Sequence, residues 1–335
     1  MYVSEWENGK RTISDRYAGI LRKLLGATDA ELRGLATAQA MPTADGYDDL
    51  LSRIDSASTV SESMVSAFNA QTELLRTMDR QMGAAGLVDQ MTGHLGALEE
   101  ALNFAVLPSA RRPVALALAG ASTLAAWQAI DSGAVERAWR HYELAKRAAR
   151  DAEAPMYLAH AMGEQAYVLC EAGRPALGVE LVRDAQRTLG TGGSPRLRAW
   201  LHATEAELCA HAAMVDDCRR ALEKAAECIP GGSEDRDSDM LSIFLNGSHL
   251  ARWQGNVLAL LGDSGAVTSL YDALKVMDPT FVRARAGTHA DLAQAHLARA
   301  EYDDAQTHLR QARLLASRTG SVRQRRRVDL LSERL

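Results

Sequence analysis

Small and hydrophobic residues recur along the second half of the chain at intervals of 40, 40, 49 and 38 positions. One column of this pattern holds Gly133, Gly173, Ala213, Gly262 and Ala300. Seven positions earlier, a second column holds Ala126, Ala166, Ala206, Gly255 and Ala293. Small residues at both places let two helices approach closely on either side of a tight turn. The pattern therefore predicts a helix-turn-helix unit repeated five times.

Three further columns follow the turn residue. Five positions after it stand Ala138, Gly178, Cys218, Val267 and Ala305. Nine positions after it stand Tyr142, Val182, Leu222, Tyr271 and Leu309, and twelve after it Ala145, Ala185, Ala225, Leu274 and Ala312. A bulky residue between small ones fills the groove against the next helix pair. We therefore expect an all-α protein in which residues 111–318 form a right-handed α-α superhelix.

The segments around the five copies carry helical patterns of their own. Two hydrophobic stripes mark residues 44–110 as two or three amphipathic helices, a degenerate leading repeat: Leu74, Leu75, Met78 and Met82, then Leu87, Met91, Leu95, Leu98 and Leu102. The polar insert at 230–239 (PGGSEDRDSD) predicts a mobile, solvated loop.

Residues 319–335 are basic on one side and apolar on the other, which predicts a terminal capping helix. We expect its arginines, Arg323, Arg325, Arg326 and Arg327, to be solvated. The alternative is that they contact an acidic partner or a phosphate backbone.

Composition narrows the class of protein. Aromatic residues make up only 5% of the chain, and the net charge of −5 provides no basic field to attract nucleic acid or a membrane. We expect a cytoplasmic protein, because the N-terminus lacks a basic run before an apolar core and no uninterrupted apolar stretch reaches about 18 residues. The four cysteines have no metal-ligand spacing, which favours buried thiols in a reducing compartment.

The order small, small, bulky, alanine around a helical turn resembles the tetratricopeptide repeat. The copies here are longer than the usual repeat of about 34 residues, and they lack its aromatic and proline signature positions. The resemblance implies a binding module with a concave surface.

Residues 1–35 resemble a different family, the end of an Xre/Cro-type helix-turn-helix domain. The residues that carry the resemblance are Ser4, Trp6, Glu7 and Gly9, followed by Leu21 with Leu24 or Leu25, and then Gly26, Thr28, Glu31 and Leu32. The resemblance implies that Ser4, Trp6, Lys10 and Arg11 belong to a DNA-binding remnant. The helices that read base edges in that family would precede Met1, so we expect DNA binding only where those helices are present.

Together the two resemblances point to the helix-turn-helix/tetratricopeptide regulators of actinobacteria. They imply an effector-sensing transcriptional regulator that binds a peptide or a small molecule in the repeat array and forms a homodimer. The alternative is a stand-alone scaffold or adaptor whose groove holds a segment of a partner protein.

Helical spacing selects the inward face of the first helix in each pair, where an effector would bind. The candidate residues on this face are Trp127, His160, Tyr167, Trp200, Glu207, His249, Arg252, Asn256 and Gln294. Aromatic anchors with a few polar groups suit a peptide or small-molecule site. The alternatives are packing between repeats and a protein–protein surface.

Catalytic motifs are absent from the sequence. It contains no glycine-rich phosphate loop, no G-x-S-x-G and no H-E-x-x-H. His289 and His296 share a helix but lack an obvious metal partner. We expect a protein that is not an enzyme and that uses no metal and no cofactor.

Overall fold

The computed structural model describes residues 18–20, 22–23, 45–58, 60–231, 237, 240, 242–243 and 245–335. The chain divides into two compact units, residues 1–56 and residues 57–335. In the first unit, residues 18–20 and 22–23 are helical, and helix α1 spans Asp45–Ser58. The predicted DNA-binding remnant, Ser4, Trp6, Lys10 and Arg11, lies outside the described residues.

The second unit begins with the two helices α2 (Glu62–Met82) and α3 (Val88–Phe104). The predicted stripe on α3 is confirmed, because Leu87, Met91, Leu95, Leu98 and Leu102 are all buried. The stripe on α2 is partly wrong, since Leu74 and Met82 are exposed. Leu75 is buried as predicted, and it shares the inward face of α2 with Asp79, four positions further along the helix.

Five helix pairs follow, as the repeat pattern predicts. They are α4 (Pro108–Asp131) with α5 (Val135–Asp151), α6 (Pro155–Glu171) with α7 (Pro175–Leu189), α8 (Pro195–His211) with α9 (Val215–Cys228), α10 (Gly247–Leu260) with α11 (Ala266–Val276), and α12 (Val282–Ala298) with α13 (Tyr302–Thr319). Each helix packs against its partner, and the first helices of successive pairs also pack together. Within the described residues there is no strand. The all-helical class and the stacking of consecutive pairs are confirmed.

All five predicted turn residues adopt a left-handed backbone conformation, with φ of 75° at Gly133, 73° at Gly173, 56° at Ala213, 72° at Gly262 and 57° at Ala300. The next residue donates its backbone N–H to a carbonyl five positions back, for example Ala134 to Ala129 at 2.8 Å and Met214 to Cys209 at 2.8 Å. This arrangement closes the helix with a Schellman-type cap. The small residue is therefore selected by backbone geometry at the turn.

The column seven positions before the turn is buried in every copy. At Gly255 the reason is direct, because a Cβ atom there would lie 2.8 Å from Leu270 Cδ2. Four copies keep the predicted spacing after the turn. In the fourth copy Ala266, Leu270 and Ala273 are buried one position earlier than predicted, so Tyr271 is exposed, and Val267 and Leu274 are only partly buried.

The loop before α11 causes this shift. The Asp263 carboxylate accepts a hydrogen bond from the Gly265 backbone N–H at 2.8 Å, and an additional turn delays the start of the helix. Three residues separate the turn residue Gly262 from the first residue of α11, Ala266. In the other copies a single residue separates the turn residue from the second helix.

The insert before α10 is not simply a solvated loop. Residues 232–236 and 238–239 lie outside the described residues, but Asp237 is buried and accepts a hydrogen bond from the Ser194 hydroxyl. Its carboxylate also accepts from the Met240 backbone N–H at 3.1 Å. Met240 and Ile243 are buried in the same core as Trp200, so this part of the insert is anchored by hydrophobic burial.

Helix α14 (Val322–Ser332) follows the last pair and confirms the predicted terminal helix. It packs on α12 and α13 through Val328 and Leu331, and it also contacts α4 in the first pair. The Ser321 hydroxyl donates to Asp131 of α4 at 2.6 Å. Helix α2 likewise contacts α12 and α13. The array therefore curves until its last helices meet its first ones.

Helix α4 is long and apolar enough to cross a membrane by length and composition, with a mean hydropathy of 1.4 over its most apolar window. In the structure 78% of that window is buried. The central helix of a folded domain has the same properties.

The last pair contains a buried histidine cluster. His289 Nδ1 lies 3.0 Å from His308 Nδ1, and the Tyr271 hydroxyl lies 2.8 Å from His308 Nε2. The ring of His296 stacks on His308 with centroids 5.4 Å apart. Burial, with smaller contributions from His289 and His296, lowers the pKa of His308 to about 4 and outweighs the opposing effect of Asp304.

We expect His308→Gln to flatten the dependence of stability on pH. Between the ordinary histidine pKa and the lowered one, the unfolded chain binds more protons than the folded chain, so stability falls as pH falls. The loss between about pH 6.5 and 5 is about 2 kcal/mol for one such histidine. Burial also lowers the pKa of His289, so the stability of the variant still depends on pH to some extent. Urea unfolding at several pH values measures the slope, and an undiminished slope in the variant would contradict the assignment.

Candidate functional site

A cavity of about 310 Å³ lies inside the curve of the array. Its wall is built from the first helices of the pairs, α4, α6, α8, α10 and α12, as expected for a concave surface. Two further elements complete it: α2 contributes Arg76, Asp79 and Arg80, and α14 contributes Arg323, Gln324 and Arg327. The cavity is therefore lined by two helices in addition to the first helices of the pairs.

Eight of the nine residues predicted for this face line the cavity. They are Trp127, His160, Tyr167, Trp200, Glu207, His249, Arg252 and Asn256. Gln294 is the exception: its side chain donates to the Ala259 carbonyl at 3.3 Å and accepts from Arg327 at 3.1 Å. On α12 the cavity is lined by Arg283, Ala284, Gly287 and Asp291, so the lining ends before the predicted position, Gln294.

Aromatic rings form much of the wall. Trp127 and Tyr167 meet edge to face with centroids 5.8 Å apart, and His160 meets Trp200 in the same way at 4.9 Å. Trp200 also covers Gly163, where a Cβ atom would lie 2.8 Å from its ring. Trp200 therefore both packs between repeats and lines the cavity.

Arg323 of α14 extends into this aromatic wall. Its guanidinium lies 5.4 Å from the Trp127 ring centroid and 6.0 Å from that of Tyr167, and it binds the Glu171 carboxylate at 2.7 Å. Although burial opposes it, Glu171 and Glu207 raise the pKa of Arg323, which stays charged. The prediction of a solvated arginine is wrong here, because α14 packs across the cavity.

The other three arginines of α14 differ in their exposure to solvent. Arg327 binds the buried carboxylate of Asp291 at 2.6 Å, so it too is not solvated. Arg325 and Arg326 are exposed, as predicted.

The carboxylates of the wall already have partners. Glu207 accepts from the Tyr167 hydroxyl at 2.8 Å and from Trp253 Nε1 at 2.7 Å. Burial opposes its ionisation, but His211, Arg323 and these two donors together lower the pKa of Glu207. Glu164 accepts from the Tyr142 hydroxyl at 3.1 Å and lies 3.3 Å from His160 Nε2. The acids are fixed parts of the wall.

The deepest ion pairs join distant parts of the array. Arg283 of α12 lies 2.5 Å from Asp79 of α2 and 3.2 Å from Asp131 of α4. Both aspartates are almost fully buried. This group, which we call the Arg283 clasp (Arg283, Asp79 and Asp131), holds the two ends of the array beside the cavity.

Sequence reasoning missed the clasp and most of the cavity residues on α2 and α14. These helices do not carry the repeat, so no column relates them to the inward face. Trp253 was also missed, although it adjoins the predicted Arg252 on α10. The signal that could have found it is the cluster of three tryptophans on first helices in a chain with few aromatic residues.

Reactive and metal-binding groups are scarce elsewhere in the described residues. Burial raises the pKa of the Cys170 and Cys209 thiols to about 12, so neither is a nucleophile at neutral pH. His296, Glu301 and Asp304 place potential ligand atoms within 4.8 Å of one another. Arg299 and His296 already bind Glu301, at 2.7 Å each, and we assign no metal to this group.

No family model and no curated protein matches this chain.

Proposed function

We propose that this protein is a cytoplasmic effector-binding regulator whose cavity holds a small organic molecule. The observation that carries the proposal is the convergence of aromatic rings and fixed polar groups from seven helices on one cavity of about 310 Å³. This volume lies at the lower end of the range for small-molecule sites. We also propose that the helix pairs are tetratricopeptide-like repeats in a right-handed superhelix.

The boundaries of the cavity favour a small ligand over an extended peptide. A long segment of a partner protein needs an open concave groove, whereas α2 and α14 also line this cavity and contact both the first and the last pair. The scaffold or adaptor function, in which the array holds a partner's segment, is therefore the weaker proposal.

The link to transcription depends on the helix-turn-helix resemblance in residues 1–35. In the proposed regulator, binding of the effector in the array changes the behaviour of a DNA-binding domain, and the array forms the homodimer. DNA binding itself requires the base-reading helices of that family.

We expect Gly287→Leu to abolish effector binding without unfolding the protein. Gly287 lines the cavity, and the nearest neighbour of a Cβ atom there is Gln324 Nε2 at 3.5 Å. A leucine side chain would therefore fit the helix and fill cavity volume. Incubation of the full chain with a metabolite extract, followed by native mass spectrometry, detects the bound compound by its added mass.

The matched control is Gly96→Leu on α3. This glycine is also helical, but it is exposed and a Cβ atom there has no neighbour within 4 Å. We expect the control to retain the bound compound. If Gly287→Leu retains it as well, the compound binds elsewhere, and if no compound binds the parent protein, the proposed function is wrong.

A further inference from the structure

We propose that the effector is a small aromatic carboxylate that also carries a neutral N–H donor. This inference rests on the proposed function and names the ligand class of the same cavity. It combines three properties of the wall: a guanidinium without an ion partner, buried carbonyl acceptors without a donor, and aromatic surfaces beside them.

The first property concerns charge. Six arginines and four carboxylates line the cavity, and most of the arginines are paired with acids in or beside the wall. Among the described residues Arg252 forms no ion pair, and its guanidinium lies 5.2 Å from the Trp253 ring centroid. A guanidinium binds a carboxylate through two parallel hydrogen bonds. One unpaired guanidinium matches the single charge of a carboxylate better than the double charge of a phosphate monoester.

The wall disfavours a cationic ligand for the complementary reason. Asp79 and Asp291 are bound to Arg283 and Arg327. Arg323 helps to lower the pKa of Glu207, and Glu164 is held by the Tyr142 hydroxyl and His160. An ammonium group would have to displace one of these partners and would meet Arg252 instead of a free acid. Like charges at close range in a partly buried site repel strongly.

The second property is a pair of buried acceptors. Asn256 is 6% exposed, and its Nδ2 donates to Asp291 Oδ1 at 2.7 Å, which fixes the orientation of the amide. Its Oδ1 then has no donor, and Gln324 Oε1, on a residue 8% exposed, also has none. A buried acceptor without a donor costs about 1–3 kcal/mol. Both residues line the cavity, so a ligand N–H that reaches either oxygen would remove this cost.

The third property is the flat surface next to these groups. Trp127, Trp200 and Trp253 all line the cavity together with Tyr167 and Phe281. Aromatic rings bind other planar rings through stacked and edge-to-face contacts. A planar heteroaromatic ring with an N–H satisfies the second and third properties at once.

Four probes of similar size separate these contributions. Indoleacetate has the ring, the N–H and the carboxylate, whereas indoleacetamide lacks the charge, tryptamine reverses it, and naphthylacetate lacks the N–H. Calorimetric titration of the full chain should show the tightest binding for indoleacetate. We expect indoleacetamide and tryptamine to bind at least about tenfold more weakly, and naphthylacetate about fivefold more weakly.

Two variants assign the preferences to residues. Arg252→Gln should reduce the difference between indoleacetate and indoleacetamide to within about twofold. Asn256→Ala should reduce the preference for indoleacetate over naphthylacetate. Arg310→Gln, an exposed arginine on α13, is the matched control and should leave all four affinities unchanged.

The outcomes separate this inference from the proposed function. Equal or tighter binding of tryptamine, or an unchanged charge preference in Arg252→Gln, overturns the ligand class. If a metabolite from the extract binds but none of the probes does, the ligand class is wrong and the proposed function stands. If neither the extract nor any probe yields a bound compound, both are wrong.

Discussion

Replacement of Arg283 by methionine is expected to lower the free energy of unfolding by about 3–5 kcal/mol. In the Arg283 clasp, one guanidinium pairs with both Asp79 and Asp131, and the side chains of these aspartates are each 3% exposed. Methionine fills most of the same space but leaves two buried carboxylates without their cation. The cost therefore arises from uncompensated charge and only to a small extent from lost packing.

Urea unfolding followed by circular dichroism measures this loss. Arg313→Met is the matched control, because Arg313 forms a single pair with Asp329 in which both side chains are more than half exposed. An exposed pair of this kind contributes about 0–1 kcal/mol. Adding Asp79→Asn to Arg283→Met should recover part of the loss. If the two arginine variants were equally stable, the two ends of the array would not be joined as the structure shows.

The repeat and the turns could be predicted from the sequence because they depend on local geometry. A left-handed turn residue at a fixed place, such as Gly133 or Ala213, selects for a small side chain in every copy. The close helix approach at Ala126 or Gly255 does the same. Each copy is an independent sample of the same constraint, so five copies make the pattern detectable in an alanine-rich chain.

The cavity face could be predicted for the same reason, and the errors in that prediction have local causes. One inward position per repeat located residues such as Trp127 and Asn256. The error at Gln294 arises because the lining of α12 ends at Asp291 and Arg327 of α14 binds Gln294, which side-chain spacing alone does not reveal. The one-position shift at Leu270 comes from the additional turn at Asp263.

The closure of the array could not be predicted from the repeat. Whether α14 meets α4 depends on the rotation from one pair to the next, summed over five pairs, and small differences per pair accumulate. The charged residues that make the contacts, Arg283 and Arg323, look like ordinary solvated arginines in the sequence. Only their positions in space show which acids they bind.

Removal of residues 321–335 is expected to abolish effector binding, with a loss in affinity of about a hundredfold or more, equivalent to about 2.7 kcal/mol. Helix α14 supplies Arg323, Gln324 and Arg327 to the cavity, and without it the space opens to solvent. The truncation also removes the burial of Val328 and Leu331, each a contribution of about 1.5–3 kcal/mol. The midpoint of thermal unfolding should therefore fall as well.

Two measurements distinguish an opened cavity from an unfolded protein. Far-ultraviolet circular dichroism of the truncated chain should retain the helical signal of the first four pairs, whose cores do not include α14. Tryptophan emission should shift to longer wavelength, because Trp127 loses its cover by Arg323. A full-length control with Arg325→Ser and Leu330→Ser changes only exposed positions of the same helix and should bind normally. If the truncated chain is folded and binds the effector as tightly as this control does, α14 is not part of the binding site.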